Sequence, residues 1–140
     1  MSITILVWFE IAATLAAKPF PSVIAKGFSD LEISTDVWVG ALIRRAELSG
    51  AFATVVRKGD PRAGAVLVKT YNPRNRQALL YASAWRGQGE RIWMQPVDSG
   101  IEADLDAYVE KARGRDPDLW VVEIEDGEGR HFLTEAVEGN

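Results

Sequence analysis

The chain has 140 residues, 47% of them apolar and 26% charged, with a formal net charge of −4, a composition that fits one globular domain with a buried core. It contains no cysteine and a single histidine, His131. That excludes disulfides, thiolate catalysis, cysteine-ligated zinc or iron–sulfur sites, and any metal centre built on several imidazoles of one chain.

Charge is unevenly distributed. Arg44–Arg91 carries ten Lys/Arg against three Asp/Glu, whereas the chain from Asp98 onward carries four against thirteen. Such halves either neutralise each other across the fold or present a basic face beside an acidic one.

Residues 1–34 read as an N-terminal extension. Ile3–Ala17 is apolar but interrupted by Glu10, and it is too short to span a bilayer. Met1-Ser2 supplies no positive n-region, which argues against a secretory signal. A covering helix, a poorly ordered tail and translated upstream sequence from a misassigned start stay open.

The domain proper is expected over 35–134. Val37–Arg45 alternates and is β-branched, predicting a strand. In Ala46–Lys58 the apolar residues Leu48, Ala51, Phe52, Val55 and Val56 fall at helical spacing, with Arg57 and Lys58 at the C-terminal end and Gly59 as the C′ residue. Ala63–Tyr71 and Gln77–Trp85 read as strands joined by the turn Asn72–Asn75. Arg91–Gln95 is a further strand.

A helix is expected to open at Ser99 or Gly100, with Ile101, Leu105, Tyr108 and Val109 as its apolar stripe. Leu119–Glu125 is the next strand. The turn Asp126–Gly129 then leads to a short strand at His131–Leu133, and 135–140 is an acidic, fraying tail. The order β-α-β-β-β-α-β-β predicts an α+β two-layer sandwich, an antiparallel or mixed sheet of five to six strands with two helices on one face.

The strings TDVWVGALIRRAELSGAFATVVRKGDPRAGAVLVK (Thr35–Lys69) and PDLWVVEIEDGEGRHFL (Pro117–Leu133), with RIWMQ between them, resemble an alphaproteobacterial family known as domain of unknown function 1491. The resemblance covers about Asp36–Leu133. It implies a small bacterial cytoplasmic protein and brings no activity, cofactor or catalytic residue.

Alternation predicts a candidate binding face. Trp38, Arg44, Lys69, Tyr71, Tyr81, Trp85, Arg91, Trp93 and Gln95 are expected on one aromatic, basic side of the sheet, opposite an aliphatic floor for the helices. Such a surface suits a protein partner or a second copy of the chain, or stacking of single-stranded RNA bases. A covered face is the plain alternative.

Arg57, Lys58 and Arg62, between flexible Gly59 and Gly64, form a candidate anion loop. However, the cations follow a helix C-terminus and the spacing is not that of a phosphate loop. Glu123, Glu125, Asp126, Glu128 and His131 could be read as a divalent-ion site, but alternation makes them one solvated strand face and turn.

Asp104, Asp106 and Glu110 decorate the outer face of a helix. Ser49 and Ser83 lack a nucleophile context. No catalytic residue, metal or cofactor is therefore assigned, and no membrane partner is expected. The favoured reading is a cytoplasmic interaction or regulatory module, with single-stranded nucleic-acid binding as the alternative and an enzyme third.

Overall fold

The computed structural model describes residues 33–87 and 89–139; the expectations for residues 1–32 lie outside them. The elements are α1 (Thr35–Leu48), β1 (Phe52–Arg57), β2 (Val66–Asn72), β3 (Gln77–Arg86), β4 (Glu90–Met94), α2 (Glu102–Arg115) and β5 (Trp120–Glu125). The strands form one sheet in the order β1-β5-β2-β3-β4. The central pair, β2 and β5, is parallel and the remaining pairs are antiparallel. The α+β class, the mixed five-stranded sheet and the two helices agree with the sequence pattern.

The first two elements are exchanged relative to that pattern. Val37–Arg45 is helical, and the segment expected to be a helix contains β1. Thr35, Trp38, Val39, Leu42 and Ala46 form the buried stripe of α1, which is helical spacing. Ser34 sits extended at the N-cap, Asp36 lies in the first turn and Arg45 in the last, charges placed to suit the macrodipole. Gly50 at φ +89° follows the helix and turns the chain back. β1 is an edge strand whose register with β5 shifts between Val55 and Arg57. Phe52, Val55 and Val56 are exposed there, so the apparent helical stripe was not a buried face.

The helices do not share a face of the sheet. Val66, Val68, Tyr81, Trp93, Trp120, Val122 and Ile124 pack with Trp38, Val39 and Leu42 of α1. Leu67, Ala78, Leu80 and Val121 pack with Leu105 and Val109 of α2. Consecutive residues of β2 and β5 thus feed two cores on opposite sides. This is why both central strands read as nearly continuous apolar runs.

Ile101 precedes α2 and is exposed rather than part of its stripe. His131–Leu133 is not a strand. Phe132 has φ +61°, a left-handed conformation that breaks strand pairing. Its carbonyl accepts bonds from Nε and Nη2 of Arg45 at 3.1 and 2.9 Å. The residues after Thr134, expected to fray, are tied down: Trp93 N–H donates to the Ala136 carbonyl and Glu138 N–H to the Trp93 carbonyl.

No helix among the described residues is long and apolar enough to cross a membrane.

Candidate functional site

α1 lies over the face of β3 and β4 that carries Tyr81, Trp85, Arg91 and Trp93. The register sets Trp85 opposite Arg91 and Ser83 opposite Trp93. Trp38 descends from α1 and stacks on Trp93, with ring centroids 5.2 Å apart. The Arg91 guanidinium lies between two rings, 5.1 Å from Trp38 and 5.3 Å from Trp85. The result is a ladder, Trp85–Arg91–Trp38–Trp93, joined by cation–π and stacking contacts. Glu135 accepts the indole N–H groups of both Trp38 and Trp93 at 3.0 Å.

The outer end of the ladder opens into a cavity of about 530 Å3. Trp85 is 58% exposed at its mouth, and Arg62 stands on the facing loop. That loop is fixed by backbone. Thr35 and Asp36 N–H donate to the carbonyls of Arg62 and Pro61, and Asp60 N–H donates to the Asp118 carbonyl. The Trp120 indole donates to the Asp60 carbonyl at 2.7 Å.

The expected binding face is therefore divided. Trp38, Tyr81 and Trp93 are buried beneath or within α1, not exposed rings. Burial pushes the Tyr81 phenol pKa up, against a hydrogen bond from the Gln95 side chain that works to lower it. Lys69 and Tyr71 lie on the other face, since Val68, not Lys69, is the β2 residue opposite Tyr81. Arg44 is exposed on α1. Trp85 and Arg91 remain at the cleft.

The candidate anion loop separates as well. Arg57 donates to the carbonyls of Asp116 and Pro117, Lys58 is exposed, and Arg62 alone lines the cleft. Gly59 and Gly64 are close-packed rather than flexible. The structural role of Glu135 was hidden by its place in a short acidic tail. Its position 42 residues beyond Trp93 carries no local signal.

The acidic hairpin is dispersed. Glu123 faces Lys69, and His131 packs edge-on against Tyr81 at 5.0 Å. Burial pulls the His131 pKa below its ordinary value. Asp126 is buried and accepts from the Nε, Nη2 and backbone N–H of Arg130. Among the described residues, no group of three or more His, Asp or Glu side chains is placed to hold a metal ion.

Arg130 beside it holds the Asp126 carboxyl at about 2, below its ordinary 3.8. A depressed carboxyl pKa stabilises the fold above the unfolded value, and that stability is lost as pH falls toward the folded value. Thermal melts should therefore show a decline between about pH 4 and pH 2 that Asp126→Asn flattens. An unchanged pH slope in that variant would remove Asp126 as its source.

A family model described as a protein of unknown function (DUF1491) matches residues 33–134. The chain is similar to a DUF1491 family protein from Caulobacter crescentus CB15. Its crystal structure is 68% identical with a TM-score of 0.74, and the match covers 76% of this chain and 100% of that one. An NMR structure of a DUF1491 family protein from the same organism is 67% identical with a TM-score of 0.74, over 78% and 99% of the two chains. The solution structure of protein Atu0922 from A. tumefaciens is 32% identical with a TM-score of 0.66, over 78% and 98%. No curated protein matches the chain. The match of one family model to most of the chain, with the same fold in close relatives, makes this protein a member of the DUF1491 family.

Proposed function

We propose that the chain is a cytoplasmic interaction module whose 35–134 domain, completed by Glu135, receives an acidic segment of a protein partner in the Trp85–Arg91–Arg62 cleft. The observation that carries this reading is the Arg91 guanidinium held between Trp38 and Trp85 at the mouth of a cavity that Arg62 also lines. A guanidinium fixed between rings loses little freedom when it meets a carboxylate. An exposed tryptophan beside it supplies apolar contact area, the combination enriched at interface hot spots. Glu135, which lines the same cavity, accepts from two indole N–H groups and fixes the inner end of the ladder.

Single-stranded nucleic acid is the second reading, because Trp85 also offers a stacking surface. The acidic chain, with a pI near 5.0, disfavours it, since nucleic-acid affinity rests largely on phosphate neutralisation.

Calorimetric titration with a short peptide alternating Glu with Leu and Phe, and separately with oligo(U), tests both. Peptide binding is expected, weakened about tenfold or more by Trp85→Ala and by Arg62→Ala. The melting free energy of Trp85→Ala should stay within about 0.5 kcal/mol of the parent. Binding of oligo(U) alone, with a steep salt dependence, would transfer the site to nucleic acid. Peptide binding indifferent to both substitutions would place it elsewhere.

A further inference from the structure

The face of the sheet that carries α2 is only half covered. α2 packs on β3 and β2 and reaches β5 at Val121, whereas Glu125 of β5 and Phe52 and Thr54 of β1 are exposed. Phe52 and Thr54 of β1 stand there opposite Glu125 and Glu123 of β5. Lys69 and Tyr71 of β2 adjoin the same two glutamates. Glu102, Asp106 and Glu110 of α2 form the wall. Phe52 is 68% exposed, and β1 has no strand on its outer side among the described residues.

We propose that β1 is a docking edge for an extended, basic segment of a partner protein, which adds as a further strand beside Phe52–Val55 and sets its Lys or Arg side chains over the acidic half-face. An antiparallel edge strand points alternate N–H and C=O groups outward, and such an edge is a template for strand addition. The register shift after Val55 confines pairing to the strand's first part, as bulges do.

Charge selects the occupant. Glu102, Asp106 and Glu123 share one ammonium, that of Lys69. Glu110 is paired with Arg113, and Glu125 lies exposed at the rim. The negative excess is one added strand away, about 10 Å at two strand spacings. That is comparable to the Debye length at about 0.1 M salt and somewhat beyond the roughly 8 Å at physiological salt, so the attraction is partly screened and should strengthen at low salt. A second copy paired about a two-fold axis would instead lay two acidic half-faces on the same side of a continuous sheet, which like charge opposes. This surface is separate from the cleft and does not depend on the reading given to it.

The test is an NMR titration of the full chain with a short acetylated peptide alternating Lys and Val. Saturable binding is expected, with slowed exchange of the outward-facing amides in Phe52–Val55. A peptide N-methylated at alternate residues should bind about tenfold more weakly. Glu125→Lys should weaken binding about threefold or more, whereas Trp85→Ala should leave it unchanged. No binding into the millimolar range, or binding indifferent to N-methylation, overturns the proposal. So does protection of the same amides without peptide, whether it rises with protein concentration, as self-pairing would, or is constant, as cover by the chain itself would be.

Discussion

Trp93→Ala is expected to destabilise the domain by about 3–5 kcal/mol, the cost of removing a large buried aromatic. Trp93 is fully buried and sits where three parts of the chain converge. Its ring stacks on Trp38 of α1, its indole N–H reaches Glu135, and its backbone pairs with the segment around Val137. Truncation leaves a cavity under α1 and removes one of the two indole donors to Glu135. Trp93→Phe should recover much of the packing but not the hydrogen bond, giving an intermediate loss. Denaturant unfolding of the two variants beside Trp85→Ala measures this. Equal, small losses at positions 85 and 93 would mean that α1 does not seal this face.

Gly64→Ala should be comparably damaging, about 3 kcal/mol, at the upper end of overpacking penalties. A Cβ at Gly64 would overlap the Asp118 carbonyl and meet the Asp60 oxygen and Trp120 Cδ1 at 2.9 Å. None of these neighbours is a flexible side-chain end. The Asp60 carbonyl accepts both the Trp120 indole and the Gly64 N–H, and Asp60 N–H is bonded to the Asp118 carbonyl. The added methyl must push one backbone crossing away from another, which also displaces Arg62 from the cleft. For a domain of this size each kcal/mol is worth roughly 4–8 °C, so a melting temperature within experimental error of the parent would contradict the close approach.

β2, β3, β4, α2 and β5 were legible because each is bounded by clear turn residues and carries an apolar run of the right length. The exchange of α1 and β1 has a specific cause. Val37, Val39, Ala41 and Ile43 alternate, yet Trp38, Val39, Leu42 and Ala46 in the same stretch also fit a helix, and β-branched content favoured the first template. The signals that decide it were present: Ser34 before Thr35, Asp36 in the first turn, and Ser49-Gly50 at the end. β1 offered no clean alternation because it is an edge strand with a bulge.

The site was half legible. Alternation within β3 and β4 put Tyr81, Trp85, Arg91 and Trp93 on one side of the sheet, which is where the register places them. It could not tell that β2 joins with Val66 and Val68 on that side, nor that a helix closes over it. Glu135 was out of reach, since only the left-handed turn at Phe132 brings the tail back to the indoles.

Ile33 and Glu135, at the two ends of the domain, line the same cavity. Any tag, dye or fusion attached near either end therefore stands at the mouth of the cleft and competes with whatever enters it. The turn between β2 and β3 lies at the far end of both strands, about 20 Å away along seven residues of β2. Exposed Pro73–Arg76 is the place for a reporter that leaves the cleft open. The nearness of the ends also makes the domain suitable for circular permutation, with a new opening at that turn and a short linker joining the old ends.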